Sequence, residues 1–137
     1  MLVVEDDLDD KEFIQEALAA CGFQDAAAFL ADGVQALAAM QGSRSLSRVP
    51  SLVVLDLMLP KLSGLEVLER LRAQPRTKSV PVVIFSSSDR PEDVARAYAL
   101  GVNGYVRKPV DPSDFAAAVA DMARYWLARN ITADALR

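Results

Sequence analysis

The sequence contains no histidine among its 137 residues. Histidine is the side chain most often used for acid–base catalysis near neutral pH, and it is a common zinc ligand. Its absence argues against histidine-based catalysis and against most zinc sites. It also excludes any role in which this chain itself carries a modified histidine.

Cysteine and long apolar runs are also scarce. Cys21 is the one cysteine, which excludes an internal disulfide and indicates a reducing compartment. No apolar run approaches the roughly 18 residues that a transmembrane helix needs. No basic leader precedes the first apolar segment, so we expect no signal peptide. These absences predict a cytoplasmic protein with no membrane partner.

Positive charge is not in excess. The chain has 15 Lys and Arg residues against 19 Asp and Glu residues, for a net charge of −4. Binding to the DNA backbone needs clustered positive charge, so we expect no DNA partner. The length suits one domain with its own hydrophobic core. We place this domain at residues 1–127 and a polar C-terminal tail at residues 128–137, with no fused output domain.

Apolar strand patterns alternate with amphipathic helix patterns along the chain. The strands are predicted at residues 2–4, 26–31, 52–55, 82–85 and 104–107. Each is followed by a helix pattern, and this alternation predicts a doubly wound α/β fold with a five-stranded parallel sheet and five helices. A strand order of 2-1-3-4-5 would place the first and third strands side by side.

The second helix and the segment after it carry two local expectations. The helix is predicted from Gly33 to about Gln41, with Val34, Leu37 and Ala38 facing inward. The following segment, Gly42–Pro50, is polar and basic, and we expect a long mobile loop there.

Polar side chains follow four of the five predicted strands. Glu5 and Asp6 follow the first strand, Asp56 the third, Ser86 the fourth and Lys108 the fifth. Because ligands bind at the carboxyl ends of parallel strands, we expect these side chains to converge in one cleft. Two carboxylates ~4 Å apart repel each other by about 4 kcal/mol at an effective dielectric constant of about 20. A bound Mg²⁺ would offset this repulsion and is the predicted cofactor.

Asp56 is the candidate nucleophile of this cleft. With a metal to neutralise an incoming phosphate, its carboxylate could accept a phosphoryl group, assisted by the Lys108 charge and the Ser86 hydroxyl. Each residue also has an ordinary structural interpretation, such as Asp9 or Asp10 capping the first helix. The joint pattern is more specific than any of its members, because each residue falls at the expected strand end.

Four segments of the chain carry a resemblance to a known family: L-V-V-E-D-D, L-V-V-L-D-L-M-L-P-K-L-S-G, P-V-V-I-F-S-S and G-Y-V-R-K-P. On these segments the chain resembles the receiver domains of two-component response regulators over essentially its whole length. The resemblance implies a flavodoxin-like three-layer sandwich in which Asp56 accepts a phosphoryl group from a sensor histidine kinase. It also implies Mg²⁺ ligation by Asp6, Asp56 and the backbone carbonyl of Met58, with Glu5 acting through water.

The same resemblance implies a conformational switch. Ser86 corresponds to the switch hydroxyl, Tyr105 to the switch aromatic residue and Lys108 to the lysine that contacts the phosphoryl group. Phosphorylation of Asp56 would draw Ser86 inward, let Tyr105 become buried and reshape the face of helix four, strand five and helix five. The resemblance further implies a cis peptide bond between Lys108 and Pro109.

A finer resemblance links the chain to stand-alone regulators that serve bacterial phytochrome kinases. It is carried by the long loop before the third strand and by the R-Y-W-L ending of the last helix. It implies a bacteriophytochrome among the candidate kinases, and a homodimer formed through the face of helices four and five.

Other functions stay open on the residues alone. An aspartyl-nucleophile phosphatase of the haloacid dehalogenase type needs a second aspartate two residues after Asp56, where Met58 stands. A nucleotide or flavin binder needs a glycine-rich first loop, whereas this loop reads E-D-D-L-D-D. A receiver-like scaffold that never takes phosphate would not need the full residue set. We therefore predict a protein that catalyses only its own phosphorylation and dephosphorylation, and is otherwise not an enzyme.

Overall fold

The computed structural model describes residues 1–41 and 49–133. Within these ranges five strands form one parallel sheet in the order β2-β1-β3-β4-β5. The strands are β1 Leu2–Val4, β2 Ala28–Leu30, β3 Val53–Leu55, β4 Val82–Ser86 and β5 Gly104–Arg107. The predicted strand order and parallel direction are confirmed.

Five α-helices alternate with the strands in the same ranges. They are α1 Leu8–Ala20, α2 Gly33–Gln41, α3 Gly64–Ala73, α4 Pro91–Ala99 and α5 Pro112–Ala123. The last helix continues as a π-helical segment, Arg124–Arg129. Helical structure therefore runs past residue 127, and the division into a domain and a tail stays a prediction. Most of the predicted loop, residues 42–48, lies outside the described residues.

The sheet lies between two helical layers. Val53 and Leu55 of β3 belong to the core on the side of α2, α3 and α4, whereas Val54 belongs to the core shared with α1 and α5. This division follows from the alternation of side chains along a strand. The helices complete both cores with buried residues: Met40, Leu68, Leu71 and Ala97 on the first side, and Ile14, Leu18, Phe115 and Val119 on the second. The predicted three-layer sandwich is confirmed.

The loop between β3 and α3 is fixed at its far end by a capping box. The Ser63 side chain accepts a hydrogen bond from the Glu66 backbone N–H at 3.3 Å, and the Glu66 carboxylate accepts one from the Ser63 N–H at 3.2 Å. These reciprocal bonds satisfy two backbone donors at the helix start. They hold α3 in place a few residues after Asp56, at the edge of the sheet where the predicted site lies.

The inward face predicted for α2 is confirmed for Leu37, which packs against the core, and is wrong for Val34 and Ala38. Val34 is 47% exposed and Ala38 is also exposed, whereas Ala36 and Met40 are buried. The start of α2 lies so close to the β3–α3 loop that a Cβ on Gly33 would stand 2.7 Å from the carbonyl oxygen of Leu62. Gly33 lies on the same buried face as Ala36 and Met40, and apolar spacing alone does not reveal this rotation of the helix.

No helix in the described part of the chain has both the length and the apolar character needed to cross a bilayer. This agrees with the absence of long apolar runs in the sequence.

Candidate functional site

The ends of β1 and β3 bring three predicted site residues together. Val4 pairs with Leu55 in the sheet, and the Asp56 backbone N–H donates to the Val4 carbonyl at 3.2 Å. Glu5 and Asp56 therefore leave neighbouring strands at the same edge. Carboxylate oxygens of Glu5, Asp6 and Asp56 all lie within 4.8 Å of one another. Glu5 and Asp56 are 4% and 8% exposed, while Asp6 is open to solvent.

Lys108 reaches this acidic cluster from the end of β5. Its backbone N–H donates to the Ser86 carbonyl at 2.7 Å, which carries the ladder between β4 and β5 one residue further. Its ammonium donates to Glu5, to Asp56 Oδ2 at 2.7 Å and to Asp10 Oδ2 at 2.8 Å. The Lys108 side chain is only 6% exposed, so one buried cation faces three carboxylates.

Burial and the Lys108 ammonium shift the pKa values of Glu5 and Asp56 in opposite directions. Burial raises the pKa of Glu5 to about 8. The hydrogen bond from Lys108 acts to lower this pKa, and the Asp56 charge acts to raise it. Burial also acts to raise the pKa of Asp56, but the hydrogen bond and charge of Lys108 hold that pKa below its ordinary value. Burial alone would lower the pKa of Lys108, whereas its carboxylate partners raise it. Near pH 7 the metal-free site therefore holds a protonated Glu5 beside an ionised Asp56.

Ser86 and Tyr105 are connected through Ser88. Ser86 is fully buried, and its hydroxyl oxygen accepts a hydrogen bond from the Ser88 N–H at 3.3 Å. The Tyr105 hydroxyl donates to the Ser88 carbonyl at 2.8 Å. The Ser88 side chain in turn donates to Asp93 of α4 at 2.6 Å. A change at Ser86 thus has a short hydrogen-bonded route to both Tyr105 and α4.

The backbone of Met58 contacts Asp56, the candidate nucleophile. Its N–H donates to Asp56 Oδ1 at 3.2 Å, while its side chain is 77% exposed. Its carbonyl as a metal ligand stays a prediction. The position offers no carboxylate, which agrees with the sequence argument against a dehalogenase-type phosphatase.

Two sequence predictions near the site need correction. No described peptide bond is cis, so the cis bond predicted between Lys108 and Pro109 is wrong. The trans bond is the favoured isomer even before proline, and here the Lys108 side chain reaches the acidic cluster with it. The cap of α1 is also neither Asp9 nor Asp10. Asp7 caps the helix and accepts a hydrogen bond from the Asp10 N–H at 2.9 Å.

Asp10 belongs to the site but is not among the predicted site residues. The sequence indicates only a helix cap at this position, yet the Asp10 carboxylate contacts Lys108. A signal for this role was present, because Asp10 precedes the buried Ile14 and Ala17 by four and seven residues. Such spacing places an acid on the inward face of a helix, where it needs a partner.

Comparison with known proteins decides the family. The sequence model of the response regulator receiver domain matches residues 1–120. The chain belongs to this family. The predicted resemblance is confirmed, and the match covers all five strands and most of α5.

Individual relatives span nearly the whole receiver domain. Probable methanogenesis regulatory protein FilR2 of Methanothrix harundinacea is 37% identical over 134 residues, which cover 95% of this chain and 84% of that protein. Response regulator Rcp1 of Synechocystis is 36% identical over 129 residues, which cover 93% of this chain and 88% of that protein.

Solved structures agree with the sequence relatives. The phosphorylated cyanobacterial phytochrome response regulator RcpA superposes with a TM-score of 0.89 at 34% identity, covering 96% of each chain. The Mn(2+)-bound form of Rcp1 superposes with a TM-score of 0.86 at 33% identity, again covering 96% of each chain.

Receiver domains bind a divalent cation, and the residues of this receiver domain fit one. Glu5 Oε2 is a buried carboxylate oxygen that has no hydrogen-bond partner within the described ranges. It belongs to the group of three carboxylates that could hold an ion. Hard cations such as Mg²⁺ and Mn²⁺ prefer oxygen ligands of this kind, and a cation here would satisfy the unpaired oxygen.

The pKa of Glu5 leads to a testable pH dependence. Its pKa rises from about 4.5 in the unfolded chain to about 8 in the fold. The folded state then binds the extra proton between these values, so this contribution to stability is present at low pH and declines as the pH approaches 8. We expect the metal-free protein to lose about 2 kcal/mol of unfolding free energy between pH 6 and pH 8. The Glu5→Gln variant should largely lack this loss.

Urea unfolding in the presence of a chelator at several pH values measures this effect. The control is Glu69→Gln, which replaces an exposed glutamate of α3 and should leave the pH profile of the wild type unchanged. Parallel profiles for the wild type and Glu5→Gln would show that Glu5 does not carry the extra proton.

Proposed function

We propose that this receiver domain accepts a phosphoryl group on Asp56 from a sensor histidine kinase in a Mg²⁺-dependent reaction. The observation that carries the proposal is the convergence of Asp56, two further acids and the Lys108 ammonium at one edge of the sheet. Relatives add support, because RcpA has been solved in a phosphorylated form and Rcp1 with bound Mn(2+).

The transfer step uses few protein groups. A carboxylate oxygen of Asp56 forms a bond to phosphorus while the bond from phosphorus to the donor atom breaks. The electron pair of the broken bond stays on the leaving group, which is the imidazole of a phosphohistidine or the carboxylate of acetyl phosphate. Lys108 compensates the negative charge on the phosphoryl oxygens, and the Ser86 hydroxyl turns to donate to one of them.

A Mg²⁺ ion would be held by Asp6, Asp56 and the Met58 carbonyl, with Glu5 acting through water. When bound, it supplies charge neutralisation for the phosphoryl group that Asp56 attacks. The low pKa of Asp56 keeps its carboxylate ionised and therefore nucleophilic near neutral pH. The receiver domain acts only on its own aspartyl phosphate and not as an enzyme on other substrates.

The signal leaves through the face formed by α4, β5 and α5. Once phosphorylated, Asp56 would draw the Ser86 hydroxyl away from the Ser88 N–H, and Ser88 also holds the Tyr105 hydroxyl. We propose that this displacement, together with burial of Tyr105, changes the shape of the face. Tyr98 of α4 and Tyr125 after α5 are 52% and 53% exposed, which supports this face as the interface of a homodimer.

The family and its relatives support a proposal for the partner kinase and for the cellular location. The similarity to RcpA, a phytochrome response regulator, supports a bacteriophytochrome as the cognate kinase. The negative net charge supports a protein partner rather than DNA. Phosphotransfer of this kind takes place in the cytoplasm, and this is the proposed location.

Intact mass measurement with acetyl phosphate and Mg²⁺ tests the proposal. We expect the wild type to gain one phosphate and Asp56→Asn to gain none, because the amide cannot form an acyl phosphate. Asp89→Asn is the matched control and should be phosphorylated normally, since Asp89 is an exposed residue paired with Arg107. A chelator should abolish the gain in the wild type and in Asp89→Asn. A phosphate that persists in Asp56→Asn would contradict the assignment.

A further inference from the structure

Among the described residues, Asp10 is the one carboxylate contact of the Lys108 ammonium that the proposed metal site and phosphoryl transfer do not use. Lys108 has three donor hydrogens and three carboxylate partners, Glu5, Asp10 and Asp56. Of these partners, Glu5 and Asp56 belong with Asp6 to the group that could hold a cation. Asp10 lies outside that group as far as the chain is described.

The two other partners change state during the proposed reaction. This step rests on the proposed function. Phosphorylation turns one Asp56 oxygen into the bridging oxygen of an acyl phosphate. A bound cation would also attract the Glu5 carboxylate, which acts on it through water. The Lys108 ammonium would then exchange two of its three present contacts, those with Glu5 and Asp56, for the phosphoryl oxygens. Asp10 alone would keep both its charge and its place.

We propose that Asp10 is a positioning residue that keeps the Lys108 ammonium directed at the phosphoryl group throughout the transfer. Its carboxylate lies 2.8 Å from the ammonium and is 27% exposed, so it stands at the open side of the cluster. Its backbone is fixed, because the Asp10 N–H donates to the Asp7 cap at the start of α1. The anchor is therefore built into a rigid helix end.

Asp9 offers a matched control for this proposal. It lies in the same first turn of α1 and contributes the same charge to the helix dipole. Asp9 is exposed, and the ion pairs of the Lys108 ammonium do not include it. An effect of Asp10→Asn that Asp9→Asn lacks must come from the contact with Lys108 and not from the helix terminus.

The test compares the wild type with Asp10→Asn, Asp10→Glu and Asp9→Asn in phosphorylation by acetyl phosphate over a range of Mg²⁺ concentrations. We expect the maximal rate of Asp10→Asn to fall about tenfold, as expected for a lost hydrogen bond to a charged group. The Mg²⁺ concentration at half-maximal rate should stay unchanged, since Asp10 is not a ligand. Asp10→Glu should recover much of the rate, and Asp9→Asn should stay within about twofold of the wild type.

A second measurement reports on the ammonium directly. In protein labelled with ¹⁵N-lysine and saturated with Mg²⁺, the Lys108 ammonium signal should be visible for the wild type and broadened for Asp10→Asn, whose ammonium is less firmly held. A sharp signal in both would overturn the proposal. So would equal maximal rates in Asp10→Asn and the wild type, or a lower Mg²⁺ affinity as the whole cause of a slower rate. If the wild type itself gains no phosphate, the proposed function fails first.

Discussion

Replacing Lys108 by methionine is expected to destabilise the metal-free protein by about 3–5 kcal/mol at pH 8. The change keeps most of the side-chain volume and removes the buried cation that faces Glu5, Asp10 and Asp56. Three carboxylates would then stay close together without a counter-charge. The expected loss is smaller at pH 6, because Glu5 is protonated there in both proteins, whereas towards pH 8 it ionises in the wild type and gains an interaction with Lys108 that the variant lacks.

Mg²⁺ should restore much of the stability that Lys108→Met loses, since a divalent cation at the carboxylates replaces the missing positive charge. Phosphorylation should nevertheless stay slower by about two to three orders of magnitude, the usual cost of removing one group that stabilises transition-state charge. Urea unfolding with and without Mg²⁺, together with phosphorylation rates, measures both effects.

The control for this variant is Lys61→Met. Lys61 pairs with Asp32 at 3.2 Å, but its side chain is 62% exposed. The Asp32 side chain is only 7% exposed, but it also accepts a hydrogen bond from the Gln35 N–H at 2.8 Å. With an exposed ammonium the pair contributes about 1 kcal/mol, so Lys61→Met should remain close to the wild type. If Lys108→Met were equally stable at pH 8 in a chelator, the ammonium would not be what offsets the acidic cluster.

The sheet and the acidic cluster were predictable because each depends on one strong rule. Leu52–Leu55 is an unbroken apolar run, and such a run fits a strand buried on both faces of a parallel sheet. The rule that the carboxyl ends of parallel strands meet at one edge then brings Asp56 next to Glu5 without any further information. The observed pairing of Val4 with Leu55 is what that rule requires.

The parts that were not predicted depend on contacts between elements. Met40 rather than Ala38 lies on the buried face of α2. Gly33 is on the same face and approaches Leu62 closely, a contact that helical spacing does not predict. For Asp10, the local sequence offers several acids in a row and so indicates helix capping. Its real partner, Lys108, is 98 residues away in the chain.

The Gly64→Ala substitution is expected to disturb the site as strongly as a change in a reactive residue. A Cβ on Gly64 would lie 2.2 Å from the carbonyl oxygen of Asp56 and 2.9 Å from the Cα of Leu57. Both atoms are backbone atoms, so the start of α3 or the peptide after Asp56 has to move. We expect a loss of about 3 kcal/mol in unfolding free energy. Phosphorylation should slow by about 100-fold, because a shift of roughly 1 Å at a reacting group costs that much.

Gly104→Ala is the matched control, since a Cβ there would meet Val83 at 3.6 Å, an ordinary contact. The expected effect at Gly64 does not come from a left-handed backbone conformation. Among the described glycines, positive φ values occur at Gly22 and Gly101. Urea unfolding and acetyl phosphate kinetics on both variants separate the two positions. Should Gly64→Ala be phosphorylated at the rate of Gly104→Ala, the β3–α3 loop would be able to move without displacing Asp56. The placement of the carboxylate would then depend on Lys108 and the strand ladder rather than on the packing of α3.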